Sequence, residues 1–544
     1  MYVLGLNVSF HDTSACLIKD GKIIAAIEEE RLSRNKHELS YPMRAIRYCL
    51  NAANITIKDV DLIVEDIFED ISYEQQEWLG MDKKKLGDKS VKLRHHLGHA
   101  ASAYYCSSFE DAAIITTDGG GTRGVYKELF KSDKVRERQV FWRGTGKDII
   151  EVSTSGSAED EKRPTPASVG HVYEMACELL GYGHLEGPGK LMGLASYGTG
   201  KVSRDFDQNY IKYPNGHCVH KNNYIGYDNY RRDPSEPISQ EHAEIAYMVQ
   251  NELEEAMIQM ANHLYHITRS KNLCISGGVG LNCVANKKVL DNTPFENIYL
   301  FPACADSGLA IGNAFYGYYS ILGGKRNVTS EVFSPYCGVV YSKEKVAECL
   351  EQHKDSIKYQ YYDNEDSYLE EVAKLISDGK IVAWYNGGSE IGPRALGNRS
   401  ILADARNPEM KDILNNRVKH REYFRPFAPA VPLQFASRYF DINIPSPYML
   451  LVTDVLPEAR SCLPSITHID GTARLQTVTE EFNSRFYRLL MKFGALTGTY
   501  VILNTSFNVA GEPIVEKPLE AVLCFLGTDI DYLAIENFII SKNI

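Results

Sequence analysis

The stretch YVLGLNVSFHDTSACLIKDGKIIAAIE, residues 2–28, decides the fold. Residues 2–8 and 13–19 read as strands, Asp20-Gly21 as a tight hairpin turn, and 22–28 as the returning strand. The polar loop Ser9-Phe10-His11-Asp12 sits at the end of the first strand. A second copy of this arrangement begins at AAIITTDGGGT, residues 112–122, where a buried strand runs into Asp118, Gly119, Gly120, Gly121 and Thr122, with 124–130 as a candidate next strand. Two strand-loop-strand units with an aspartate in each loop imply a duplicated α/β domain with a cleft between its halves.

Such paired hairpins resemble those with which the actin, Hsp70 and sugar-kinase superfamily holds nucleotide phosphates, because glycine-rich turns offer free backbone N–H groups to anions. A third element points the same way. The strand 272–276 runs into Gly277-Gly278-Val279-Gly280-Leu281-Asn282 and then a helix, a pattern that lets a nucleotide approach the backbone closely. Gly119, Gly120, Gly277, Gly278 and Asn282 are therefore candidate nucleotide contacts. Helices are expected at 41–53, 168–181, 240–268 and 307–320, the third carrying an apolar stripe at 245, 248, 249, 253, 256, 257, 260 and 264. The polar, turn-rich stretch 323–340 marks a domain boundary, and a new α/β pattern follows it. The expected domains are 1–335 and 336–544.

Composition restricts the partner. The 544 residues allow several full cores, and 59 basic against 71 acidic side chains leave a net charge of −12. That balance disfavours a broad nucleic-acid or acidic-membrane surface and favours a small-molecule partner. Twelve cysteines without a C-x-x-C argue against zinc ribbons, and the place of several of them in apolar runs suits free thiols in a reducing cytoplasm. The amino terminus enters a strand with no basic leader, and no run of about 18 apolar residues occurs, so no membrane span is expected.

Two clusters carry chemistry. In the first domain, Arg94-His95-His96-Leu97-Gly98-His99 opens a small-residue helix, and His95 and His99, four apart, face one side of it. With Asp118 at the end of the following strand and Asp306 at the start of a later helix, they form a set suited to iron(II), manganese or zinc. His11 is a candidate general base for an acceptor hydroxyl, with Asp12 beside it and Lys36-His37 as the neighbouring candidates.

In the second domain, Gly-Pro-Arg-Ala-Leu-Gly-Asn-Arg-Ser (392–400) and Lys-His-Arg-Glu-Tyr-Phe-Arg-Pro-Phe-Ala-Pro (419–429) bring Arg394, Arg399, Lys419, Arg421 and Arg425 among glycines, prolines and phenylalanines. Cations so placed suit a compact anion, a phosphate first. Arg474 and the small polar run Asn504-Thr505-Ser506 lie further along.

The whole chain resembles the O-carbamoyltransferases of the NodU, cephalosporin-biosynthesis and tobramycin type. The marks are Phe-His-Asp-Thr-Ser-Ala (10–15), Glu-Glu-Arg-Leu-Ser-Arg-Asn-Lys-His (29–37), His-His-Leu-Gly-His-Ala (95–100), Gly-Lys-Leu-Met-Gly-Leu-Ala-Ser-Tyr-Gly (189–198) and Gly-Gly-Val-Gly-Leu-Asn-Cys (277–283), followed by 392–400, Arg-Pro-Phe-Ala-Pro (425–429) and Asn-Thr-Ser-Phe-Asn-Val-Ala-Gly-Glu-Pro (504–513). The resemblance implies an N-terminal ASKHA (actin-like ATPase) domain and a C-terminal YrdC-like domain. It implies that the latter makes carbamoyl adenylate from carbamoyl phosphate and ATP, with Mg2+ accompanying the ATP, and that the former transfers the carbamoyl group to a hydroxyl at a metal, iron(II) first. By the match, Arg394, Lys419, Arg425, Arg474 and Ser506 hold carbamoyl phosphate and nucleotide phosphates, and His95, His99, Asp118 and Asp306 hold the metal. Ala510, Ile391 and the run before Asp306 depart from the family's usual residues, and Ala510 puts one phosphate contact in doubt.

The acceptor is expected to be a saccharide or natural-product hydroxyl. A hydroxymethylated pyrimidine, free or in nucleic acid, is the lesser alternative, suggested by the tyrosines of 210–230. A sugar-kinase-like ATPase explains residues 1–320 alone and leaves the cationic domain without a role. A hydrogenase-maturation enzyme needs zinc ribbons that the chain lacks. A homodimer is left open.

Overall fold

Strand β1 (Tyr2–Asn7) lies at the centre of a five-stranded sheet in the computed structural model, which describes residues 1–9, 11–67, 89–122, 135–158, 168–201, 210–212, 216, 218–220 and 230–543. On one side it pairs antiparallel with β2 (Ser14–Lys19), and β2 with β3 (Lys22–Glu28). On the other it pairs parallel with β4 (Leu62–Ile67), and β4 with β5 (Ser90–Arg94). The Asp20-Gly21 turn has both residues at positive φ, 49° and 77°, the twist that a two-residue hairpin requires.

The second sheet repeats this plan. Strand β6 (Asp111–Thr117) is central, with antiparallel β7 (Val135–Thr145) and β8 (Asp148–Ala158) on one side. After a small hairpin of β9 (Tyr210–Lys212) and β10 (Cys218–His220), β11 (Asn272–Ser276) and β12 (Asn297–Leu300) continue it in parallel on the other. The orders β3-β2-β1-β4-β5 and β8-β7-β6-β11-β12 are the same topology, so the duplication expected from the two loops is present in the backbone. The candidate strand 124–130 and most of the tyrosine-bearing loop 210–230 lie outside the described residues.

The expected helices form at Met43–Ala52, Val169–Leu179, Gln240–Thr268 and Leu309–Tyr316, the last entered by a short 3-10 turn and left by a π turn. The apolar stripe of the long helix is buried except at Met248, which is half-exposed. His242 serves at its amino end, where it and Ser239 form a reciprocal capping box.

A close helix crossing sets up the first site. The buried helix His95–Cys106 meets Leu309–Tyr316 at Gly98 and Gly312, where a Cβ on Gly312 would stand 2.1 Å from the Gly98 carbonyl oxygen. Without side chains there, the backbones touch. The first turn of one helix thus lies beside the turn that begins the other, and Asp306 stands at that beginning.

The second compact unit consists of residues 30–36 and 334–544, the first of 1–29 and 37–333. Its strands are β13 (Ile357–Tyr361), β14 (Val382–Tyr385), β15 (Arg399–Asp404), β16 (Ala428–Pro432), β17 (Val452–Asp454), β18 (Thr472–Arg474), β19 (Gln476–Val478), β20 (Ile502–Ser506), β21 (Tyr532–Ile535) and β22 (Phe538–Lys542). Eight of them form one mixed sheet, β13-β22-β21-β14-β15-β20-β16-β19. Alternate residues supply separate cores: Ala383, Tyr385, Ile401 and Leu503 belong to one, Val382, Trp384, Leu402 and Ile502 to the other. Since successive strand side chains point to opposite faces, both faces of the sheet are covered. The fold class is α/β throughout, as expected.

A methyl group at the crossing tests this account. Gly312→Ala is expected to push the two helices apart and cost about 3 kcal/mol, seen as an earlier denaturant midpoint for the first unit.

Candidate functional site

The first unit gathers His95, His99, Asp118 and Asp306, with one ligand atom from each within 4.8 Å of the others. His99 Nε2 lies 3.2 Å from Asp118 Oδ2 and 3.4 Å from Asp306 Oδ1, and His95 Nε2 lies 3.4 Å from Asp306 Oδ1. Both imidazoles are fully buried, and their Nε2 atoms face each other at 3.2 Å. Two imidazole lone pairs do not sit so close without a proton or a cation between them. The donor set, two imidazoles and two carboxylates around one point, fits a divalent transition metal.

An outer layer orients these groups. His95 Nδ1 faces Asp66 Oδ2 at 3.5 Å, while Asp66 Oδ1 accepts from Val8 N at 2.7 Å. His99 Nδ1 lies 3.4 Å from the Ser276 hydroxyl, and the Ser9 hydroxyl lies 2.9 Å from Asp306 Oδ2. Asp118 is clamped by backbone: Gly119 N donates to Oδ1 at 2.6 Å and Gly278 N to Oδ2 at 2.8 Å. These two glycine N–H groups, expected to face a nucleotide, thus hold the aspartate, and Gly119 O accepts from Arg138. Gly277, at φ 93°, takes a turn in which a Cβ would collide with the Thr117 carbonyl. Gly120 lies in the same loop as Gly119.

Asn282 is occupied elsewhere. It caps the helix Cys283–Asn292 through Ala285 N and exchanges hydrogen bonds with Gln250. His96 also stands apart from the quartet: its Nδ1 lies 3.0 Å from Thr116 Oγ1, and its buried Nε2 has no hydrogen-bond partner among the described residues.

The charges explain the protonation behaviour. Burial alone opposes charge on His95, but Asp306 and Asp66 raise its pKa well above the ordinary value. His99 rises for like reasons, through Asp118 and Asp306. Burial opposes the Asp306 anion too, yet His95 and His11 hold it well below the carboxylate range. His11 Nε2 reaches to 3.9 Å from Asp306 Oδ2, and His11 is raised to about 10 against burial by Asp306, Asp12 and Asp118. A cation among those carboxylates removes the main cause of that rise.

The second unit gathers the cations. Burial pushes Lys419 well down, helped by the charges of Arg421, Arg425 and Lys36. Burial likewise lowers Arg421 to about 9, with Arg425, Arg474 and Arg394 adding to it. Lys419 therefore lies in the field of Arg421, Arg425 and Lys36, and Arg421 in that of Arg425, Arg474 and Arg394. Lys419 donates into the turn after β20, to Asn508 O at 3.0 Å, Asn508 Oδ1 at 2.9 Å and both oxygens of Ser506. Arg425 lies 3.7 Å from Glu422. Asn504 is buried and donates to Gln476 Oε1 at 2.8 Å, whereas Thr505 and Ser506 are half-buried.

Arg399 departs from the phosphate-binding expectation. It is wholly buried, stacks over Tyr385 at 3.5 Å, and donates to the carbonyls of Asn386, Gly387 and Asn398 at 3.0 Å each. It braces the loop rather than facing a ligand. Sequence reasoning missed Asp66, Ser276 and Ser9. Glu65-Asp66, an acidic pair ending an apolar strand and buried there, was the available signal for the first.

Residues 2–80 and 67–315 match the family model described as Carbamoyltransferase N-terminus, and residues 373–542 match Carbamoyltransferase C-terminus. The chain belongs to the carbamoyltransferase family. It is therefore an enzyme of carbamoyl transfer. It is 35% identical to the uncharacterized protein sll1178 of Synechocystis sp., over 99% of this chain and 97% of that one. It is also 35% identical to the nodulation protein NolNO of Sinorhizobium fredii, over 98% of this chain and 80% of that one. Among solved structures, full-length HypF in its phosphate- and nucleotide-bound form aligns with 59% of this chain and 56% of its own, at 15% identity and a TM-score of 0.39. No described helix is long and apolar enough to cross a membrane.

Two substitutions separate metal support from loop bracing. Asp66→Asn is expected to weaken binding of zinc or iron(II) by about 10- to 100-fold in competition with a chelator. Arg399→Ala removes the guanidinium donor from the Asn386 and Gly387 carbonyls, while Asn398 O keeps the Asn386 N–H, and is expected to cost the second unit about 3 kcal/mol in denaturant unfolding, with metal affinity unchanged.

Proposed function

We propose that the chain is an ATP-dependent O-carbamoyltransferase that works in two half-reactions, activation in the second unit and transfer in the first. The observation that carries this reading is the gathering of buried and half-buried cations in one unit and of the His-Asp quartet in the other, in a chain whose two parts match the two family models.

In the activation step, water cleaves carbamoyl phosphate to carbamate and phosphate. A carbamate oxygen then attacks the α-phosphorus of ATP, the α–β bond breaks, and pyrophosphate leaves. Carbamoyl adenylate remains. Both events crowd phosphate charge together, and Arg394, Lys419, Arg421, Arg425 and Arg474 offer fixed positive charge to it, with Lys36 beside them. Mg2+ accompanies the ATP. Lys419 also holds Ser506 and Asn508 in place, so the turn that faces the anion is itself positioned by a cation.

In the transfer step, an acceptor hydroxyl oxygen attacks the carbamoyl carbon, AMP leaves, and the hydroxyl proton passes to His11 Nε2. The product is a carbamate ester. His95, His99, Asp118 and Asp306 would hold the divalent ion, iron(II) first, with manganese or zinc as alternatives. When bound, such an ion supplies Lewis acidity toward the carbamoyl carbonyl. The acceptor is a small hydroxylated molecule, a saccharide or natural product. We assign the chain to the cytoplasm, where carbamoyl phosphate and ATP are both at hand.

Carbamoyl-phosphate-dependent release of pyrophosphate from ATP tests the reading, and ATP turnover indifferent to carbamoyl phosphate overturns it. Arg394→Ala is expected to cut pyrophosphate release by about 100-fold or more. His99→Ala is expected to keep pyrophosphate release and to lose the carbamoyl mass increment on the acceptor. Loss of the same half-reaction in both variants would remove the division of labour.

A further inference from the structure

His11 stands on a carboxylate that carries a second imidazole. Asp12 Oδ2 lies 3.1 Å from His11 Nδ1, and Asp12 Oδ1 lies 2.8 Å from His37 Nδ1. The backbone is bent to make this bridge. Asp12 and His37 sit at φ 56° and 54°, in the left-handed region, which costs a residue other than glycine on the order of 1 kcal/mol or more.

The two loops are also tied together. Thr13 donates through its hydroxyl to the Ser40 carbonyl at 2.8 Å, and Asn7 Nδ2 donates to the Asp12 carbonyl at 2.9 Å. Strain of this kind persists only where surrounding bonds over-determine it. Here the bonds converge on one carboxylate.

The chemistry of the bridge fixes more than position. An ionised carboxylate only accepts, so each imidazole must offer it Nδ1–H. A neutral ring then keeps its lone pair on Nε2, and His11 Nε2 is the atom directed toward Asp306, at 3.9 Å. Two such hydrogen bonds outweigh burial and keep Asp12 ionised, at about 2. With one imidazole, the carboxylate could rotate and present either oxygen to His11 at any angle. The second imidazole pins Oδ1 and leaves Oδ2 in one place.

We propose that His37 is a positioning residue for carbamoyl transfer: through Asp12 it holds His11 as the Nδ1–H tautomer with Nε2 turned to the acceptor hydroxyl. This rests on the transfer reaction proposed above. His37 acts on His11 through the Asp12 carboxylate, whose Oδ1 faces His37 Nδ1 at 2.8 Å.

The test uses the full metal-loaded chain, ATP, carbamoyl phosphate, and a panel of saccharides and hydroxymethylpyrimidine nucleosides from which an acceptor is found with the wild type. His37→Phe is expected to lower the kcat of transfer about 10- to 100-fold, with the acceptor KM within about twofold and pyrophosphate release retained. His37→Asn places an amide N–H where Nδ1–H stood and tolerates positive φ. It is expected to recover kcat to within a few-fold of the wild type. In the zinc-loaded protein, nitrogen NMR of labelled histidines, with His11 assigned by its absence in His11→Asn, should show the Nδ1–H tautomer in the wild type and in His37→Asn. A mixture is expected in His37→Phe.

An unchanged kcat in His37→Phe, equal losses in both variants, or a His11 tautomer indifferent to His37 would each overturn the proposal. Failure of the underlying reaction looks different: the wild type then releases no pyrophosphate and carbamoylates nothing. The tautomer spectrum, which needs no turnover, still decides the role of His37.

Discussion

Four ligand atoms from His95, His99, Asp118 and Asp306 lie within 4.8 Å of one another in a buried place, and that crowding of ionisable groups constrains the whole first unit. Charges removed from water must be balanced locally or they destabilise the fold. The two imidazoles and two carboxylates balance one another in part, and a divalent ion held by them would complete the balance. The surrounding architecture serves this arrangement: Gly98 and Gly312 let two helices touch, and the N–H groups of Gly119 and Gly278 fix Asp118. Asp66 and Ser276 face the outer nitrogens of the two histidines.

The second unit meets the opposite problem, an excess of positive charge. Burial lowers the pKa of both Lys419 and Arg421, and each cation nearby deepens the effect. A site that disfavours its own charges in this way is relieved by an anion with several oxygens. The same unit shows that a cation in a motif can be structural. Arg399, a few residues from Arg394 in the sequence, faces inward onto three carbonyls and a tyrosine ring.

The glycine-rich turns illustrate how a correct pattern can carry a different task. Free N–H groups at 119 and 278 were expected to face phosphate, and their partner in the fold is the Asp118 carboxylate. The electrostatic preference is the same, since both are anions. What differs is which anion lies within reach, and that depends on how β6 and β11 pair, Ser276 beside Thr116, which brings the two loops together.

Legible along the chain were the strand-loop-strand duplication, the long amphipathic helix, the residues of the His-Asp quartet and a cationic segment. These depend on spacing along the chain: a two-residue turn at Asp20-Gly21, a helical repeat over 240–268, and imidazoles four residues apart on one helix face. The contacts of Asp66, Ser9, Arg399 and the Asp12–His37 pair became visible only in the folded chain. Asp66 meets His95 because β4 runs parallel to β1 and β5, and Ser9 reaches Asp306 across nearly the whole first unit. Such contacts are set by strand register and helix crossing, which place residues far apart in sequence within a few ångströms, and local pattern carries no record of them.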